Sequence, residues 1–229
     1  MNNQIFNLSL LFFRIEFKIK TMELQSGLAT RSLLTNQDES GQLIKVYVVM
    51  GVCGCGKSTL GKQLAHHYNG VFIEADEFHS EANKRLMREG IPLNDENRLP
   101  WLKALAAEVV KSIEQIKANK KFNSKTKQIF LACSALKRSY RNLLRQQVQL
   151  SQQGTLVLLY LHIPCLQDLM RRVSERKGHF INSTLVESQL KTLEIPDYSE
   201  QPNIRLDVLS QNSDETLAAA IKIIDEMNK

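Results

Sequence analysis

The sequence predicts an α/β fold, a five-stranded parallel sheet flanked by helices on both faces. Three observations carry this expectation. Five short apolar runs each precede a segment of helical pattern, so strands and helices alternate along the chain. The runs are mostly continuous in apolar residues rather than alternating with polar ones, as strands covered on both faces are. The first run passes directly into a glycine-rich turn that opens a helix, "VVMGVCGCGKSTLGKQLA".

The elements follow in order. "VYVVM" is the first strand, and "KSTLGKQLAHHY" the helix after its turn. "GVFIEAD" supplies a second strand at 71–75 that ends in acidic residues. "SEANKRLMREG" is a polar helix closed by Gly90 at its C-terminus. "NDENRLPWLKALAAEVVKSIEQIK" carries apolar residues at three- and four-residue spacing and reads as a long helix. The third strand, "QIFLACS", runs into a helix "ALKRSYRNLLRQQ", and "TLVLLYLHIP" is the fourth. Pro164 opens the helix "CLQDLMRRVSERK", a further helix covers 183–193, and "NIRLDVL" is the last strand before the helix "DETLAAAIKIIDEMNK". No internal repeat is evident.

A chain of 229 residues with 43% apolar content can bury one good-sized core. Residues 1–44 read as a flexible N-terminal extension and 45–229 as the domain. The apolar run near the start spans only about nine residues, too short to cross a bilayer, and lacks the basic start of a secretory signal. A cytoplasmic location is expected, with an organelle-targeting role for the extension left open. The net charge is +6, and the stretch from Lys111 to Arg145 holds ten Lys or Arg against one Glu. Without interleaved aromatics it reads as a solvated surface, so no nucleic-acid partner is expected. Four cysteines show no disulfide or zinc spacing, which fits a reducing compartment.

Gly51, Gly56, Lys57 and Ser58 satisfy G-x-x-x-x-G-K-[ST], the phosphate-binding loop. Backbone amides from Gly51, Val52, Cys53, Gly54, Cys55 and Gly56, with Lys57, Ser58 and Thr59 at the helix start, would cradle the phosphates of a nucleoside triphosphate. Lys57 would neutralise the outer phosphates and the Ser58 hydroxyl would ligate Mg²⁺. The next groups belong at the other strand ends. Asp76, past the second strand, suits orientation or deprotonation of an acceptor hydroxyl, or caps a helix; His79 is an exposed loop residue or a second ligand. No Asp ends the third strand, which argues against a motor or GTPase; Ser134 reads as a cap for a helix starting at Ala135. Lys137, Arg138 and Arg141 crowd a helix start where cations are unfavourable, so an anion is expected nearby. Arg172 and Arg176 share a helix face, either as a phosphate clamp or as a basic helix end. One or both of Cys53 and Cys55, beside Lys57 and many N–H groups, are expected to be reactive thiols unless they merely fill space.

Together "VMGVCGCGKS", "ADEFHSEANKRLM", "GIPLNDENRLPWL", "CSALKRSYRNLLR", "RKGHF" and "SQLKTLEIP" resemble the gluconokinases of the thermoresistant, phosphate-loop type over about 45–210. The resemblance implies the fold of nucleoside monophosphate and shikimate kinases with a mobile lid. It implies ATP- and Mg²⁺-dependent phosphorylation of D-gluconate to 6-phosphogluconate, which feeds the pentose phosphate route. By position it assigns Gly51 to Ser58 to ATP, Asp76 and His79 to the substrate side, Asp95 and Arg98 to the "PLND..R" segment, and Arg176 to His179 to the lid. Lys137, Arg141 and His179 join the expected substrate ligands; Lys57, Asp76 and Arg176 are the expected catalytic groups. A homodimer is a further possibility. The family usually carries serines where Cys53 and Cys55 stand, and the first 44 residues or so have no counterpart in it.

Overall fold

A computed structural model describes residues 43–118, 128–175, 183–208 and 212–229. The expected N-terminal extension, up to residue 42, and the expected lid residues Arg176 and His179 lie outside the described residues. Among the described residues no helix is long and apolar enough to cross a membrane.

The chain runs β1 (Ile44–Met50), α1 (Lys57–His67), β2 (Val71–Glu74), a 3-10 turn (Ala75–Phe78), α2 (Glu81–Arg88) and α3 (Asp95–Ala118). It continues through β3 (Gln128–Ala132), α4 (Arg138–Leu150), β4 (Gly154–His162), α5 (Leu166–Ser174) and α6 (Ser183–Thr192). A second 3-10 turn (Tyr198–Glu200), β5 (Asn203–Asp207) and α7 (Ser213–Met227) complete it. All pairings are parallel, in the order β2-β3-β1-β4-β5. The fold is therefore the five-stranded parallel sheet expected, of the shikimate and nucleoside monophosphate kinase type.

β1 lies at the centre and its side chains divide between two cores. Val46, Val48 and Met50 pack with Leu105 of α3 and Leu144 of α4, while Tyr47 and Val49 pack with Leu64 of α1 and Ile224 of α7. Burial on both faces explains why this run is apolar without alternation. The edge strand β5 differs: Ile204 and Leu206 are buried, whereas Arg205 and Asp207 are exposed and pair at 2.9 Å. Charges on that edge blunt its unpaired backbone. α2 ends as expected at Gly90, where the Ile91 and Gly90 N–H groups return to the Leu86 and Met87 carbonyls at 2.9 and 3.1 Å.

The helix expected from Ala135 begins three residues later, at Arg138. Ala135 has φ +43, and the turn it makes aims the Ala135 and Leu136 carbonyls at Arg141 Nη1, 3.0 Å from each. Arg141 also donates through Nε and Nη2 to the two carboxylate oxygens of Glu200, at 2.6 and 2.7 Å. Both side chains are buried, Arg141 completely. This corrects the expectation that Arg141 binds substrate: the anion that justifies it is Glu200 of the same chain, and its side chain is wholly buried away from the surface a ligand would reach.

Removing one partner of such a pair strands a charge in an apolar core. Arg141→Ala is expected to lower the unfolding free energy by about 3–5 kcal/mol in urea titrations, and R141M with E200L together to recover most of it. A single-variant loss of about 1 kcal/mol or less would contradict a structural role for the pair.

Candidate active site

A cavity of about 950 Å³ opens at the carboxyl ends of the strands, with the β1–α1 loop as its floor. Gly51 leaves β1 at φ +143, and a Cβ there would lie 2.8 Å from the Leu161 carbonyl oxygen. Space and backbone angle both demand glycine. Gly56, at the N-cap of α1, has φ +98 but open space around it, so there the angle alone excludes a side chain. Cys53 to Thr59 line the cavity, while Gly51 and Val52 are buried off its wall. The first turn of α1 holds no acidic residue, so its amides and dipole stay available to an anion. Lys57 Nζ meanwhile donates to the Val52 carbonyl at 3.0 Å.

β2 does not neighbour β1, since β3 lies between them. Its acidic end still reaches the loop, because Glu74 is level with Ala132 of β3, itself level with Val49 of β1. β3 ends at Ala132, and small residues, Cys133 and Ser134, follow it towards the cavity. Ser134 lines the cavity rather than capping a helix, because α4 starts only at Arg138. Glu74 faces Ser58 and Lys57 across the loop; burial, with the Asp76 carboxylate beside it, raises its carboxyl above the ordinary carboxylate range against the opposing pull of Ser58 and Lys57. Ser58 and Glu74 are a hard-oxygen pair beside a phosphate cradle, a donor set that fits a magnesium ion taking its remaining ligands from phosphate and water. Asp76, exposed to the cavity, sits not at the head of an open loop but within the 3-10 turn.

That turn is braced from α3. Trp101 Nε1 donates to the Ala75 carbonyl at 2.7 Å, and its ring stacks on His79 with centroids 4.3 Å apart and planes 12° from parallel. His79 is thus buried and faces the cavity. Burial holds its pKa below the ordinary 6.5, with the Asp76 carboxylate opposing. Asn83 Nδ2 ties α2 to α3 through the Asn97 carbonyl at 2.9 Å.

Arg98 lines the same end of the cavity and donates to Tyr140 Oη at 3.2 Å. Asp95 and Lys137, both expected among the substrate ligands, do not line it. Lys137 Nζ lies 2.7 and 2.8 Å from the Asp95 oxygens, and Tyr140 also donates to Asp95. The two side chains satisfy each other behind Arg98, and Lys137 holds the Asp95 carboxyl below the usual carboxylate range. Arg172 of α5 lines the cavity, as do Asn212, Ser213 and Thr216 at the start of α7.

The thiol expectation needs correction at Cys55. Cys55 is buried, and burial pushes its thiol up; burial likewise pushes the Cys133 thiol up, there to about 12. Cys55 therefore fills space beneath the loop. Cys53 is half-buried at the cavity, and its N–H donates to Gln189 Oε1 of α6 at 2.7 Å. Gln189, Tyr140 and Trp101 were not singled out from the sequence; Trp101, the only tryptophan, offered the one visible signal. Within the basic stretch, Lys137, Arg141 and Arg145 are engaged inside the domain, the last through the Glu200 carbonyl at 2.7 Å.

A depressed histidine pKa means the unfolded chain binds the proton first as pH falls. The His79 contribution to stability is therefore present above the ordinary value of 6.5 and is lost as pH drops below it, towards the lowered folded value. Unfolding free energies of wild type and His79→Asn, compared between pH 7.5 and about 5.5, should show wild type losing ground to the variant on acidification. Parallel curves would contradict a buried neutral imidazole.

The shikimate kinase family model matches residues 53–227. Over 173 residues the chain is 36% identical to a probable gluconokinase of Dictyostelium discoideum, covering 76% of this chain and 82% of that one. The solved structure of a sugar kinase from Janibacter sp. HTCC2649 aligns with TM-score 0.65 at 36% identity, over 80% of this chain and 95% of that one. A gluconokinase structure from Sinorhizobium meliloti 1021 aligns with TM-score 0.62 at 35% identity, over 82% and 97%. The chain belongs to the gluconokinase family and has the shikimate-kinase type of phosphate-loop fold.

Proposed function

We propose that this protein transfers the γ-phosphoryl group of ATP to the 6-hydroxyl of D-gluconate. One observation carries the reading: a single cavity joins the phosphate loop to a cationic and aromatic end holding Arg98 and His79, with Asp76 among the residues that line it. A sugar acid has the matching chemistry, an acceptor hydroxyl at one end and a carboxylate at the other.

In this reading the loop amides and Lys57 hold the outer phosphates, with Lys57 leaving the Val52 carbonyl as they arrive. Ser58, with Glu74 behind it, would hold Mg²⁺, which when bound neutralises charge shared between the β- and γ-phosphates. Asp76 accepts a hydrogen bond from the acceptor hydroxyl, aims its lone pair in line, and takes up its proton. Arg98 pairs with the carboxylate, and His79, kept neutral, hydrogen-bonds a sugar hydroxyl without adding a second cation. Arg172 and Arg176 serve the phosphate side and His179 the substrate side as the lid excludes water. The shikimate kinase family match favours shikimate as the alternative acceptor.

The test is ATP consumption against gluconate, related sugar acids and shikimate, with 6-phosphogluconate as the product. Gluconate should be the preferred acceptor; preference for shikimate would replace this reading. Lys57→Ala should cut turnover at least about a hundredfold in a folded protein. Asp76→Asn should lower kcat while leaving ATP binding near wild type. Normal turnover by Asp76→Asn would move the acceptor's hydrogen-bond partner to another residue, His79 first.

A further inference from the structure

Arg98 stands near the start of α3, and what lies behind it decides how it presents its charge. Its Nη1 donates to Tyr140 Oη at 3.2 Å, with the guanidinium carbon 5.8 Å from the ring centroid. Tyr140 donates its own proton to Asp95, which also receives Lys137 Nζ at 2.7 and 2.8 Å. Lys137 Nζ lies 5.6 Å from the same ring.

A phenol has one proton and lone pairs to spare. Here Asp95 takes the proton, which leaves the oxygen as an acceptor facing Arg98. Burial raises the Tyr140 pKa, so the group stays a phenol at neutral pH. The consequence is a division of labour. Asp95 spends its charge on Lys137, while Arg98 is oriented by a neutral group and keeps its positive charge for whatever enters the cavity. A carboxylate directly behind Arg98 would have oriented it equally well but cancelled that charge.

We propose that Tyr140 is a positioning residue for Arg98, and that the Asp95–Lys137 pair acts through it by fixing the direction of the phenol proton. The relay sets affinity for the carboxylate of the acceptor. This rests on the reading above that Arg98 binds that carboxylate.

Steady-state kinetics of Tyr140→Phe, which keeps the ring and loses only the hydroxyl, test the relay. The KM for gluconate should rise about five- to tenfold, with the KM for ATP and the kcat at saturating gluconate near wild type. Asp95→Asn, at an exposed position, should move the gluconate KM the same way by a smaller factor, about two- to threefold. In an Arg98→Ala background the Tyr140→Phe penalty on kcat/KM for gluconate should vanish. An unchanged gluconate KM in Tyr140→Phe, an equal rise in the KM for ATP, or a penalty that persists without Arg98 would each overturn the relay. An unchanged gluconate KM in Arg98→Ala would instead remove the carboxylate assignment itself.

Discussion

The constraint on which the molecule depends is that a parallel sheet puts every strand's carboxyl end on the same rim. β1 is central, and Val46 to Met50 are fully buried, so the point where the chain leaves the sheet at Gly51 is held from both faces. A loop of bare amides has little of its own to hold it. Here it is anchored by the strand behind, by α1 ahead, and by Gln189 on the Cys53 amide. The acidic end of β2 reaches the same rim across β3 because the parallel register sets Glu74 level with Ala132, and Ala132 level with Val49. Phosphate cradle and carboxylates are thereby brought together without contact in sequence.

Charge in this domain falls into two kinds, and burial sorts them. Arg141 and Glu200 neutralise each other completely inside the core, and in doing so set where α4 begins and where the Ala135 and Leu136 carbonyls point. Asp95 and Lys137 neutralise each other near the surface, where solvent screens the pair and its worth lies in geometry rather than stability. Lys57 and Arg98 instead meet neutral acceptors, a backbone carbonyl and a phenol, and both line the cavity. Held by neutral groups, these two cations keep their charge for an anionic ligand.

Much of this was legible in the chain. The alternation of strands and helices, the sheet type and the phosphate loop follow from apolar runs and one motif, because these are local patterns with local causes. Asp76 and His79 were found by their place after a strand. What escaped notice depends on long-range pairing. Nothing near Arg141 announces Glu200, 59 residues on, so a basic cluster at a helix start suggested an absent anion. Cys55 looked activated by its neighbours along the chain, but burial, which a sequence does not display, outweighs them. Asp95 and Lys137 looked like two ligands until the fold brought them together.

The central claim is that the cavity is polarised, with phosphoryl chemistry at the β1–α1 loop and carboxylate recognition at Arg98, and Asp76 at the acceptor hydroxyl. A crystal structure of the protein with gluconate and a non-hydrolysable ATP analogue tests it directly. The account predicts the sugar acid extended between the two ends, its carboxylate on the Arg98 guanidinium and its 6-hydroxyl within hydrogen-bonding distance of the Asp76 carboxylate. Gluconate bound in the reverse direction, or with its carboxylate away from Arg98, would contradict it.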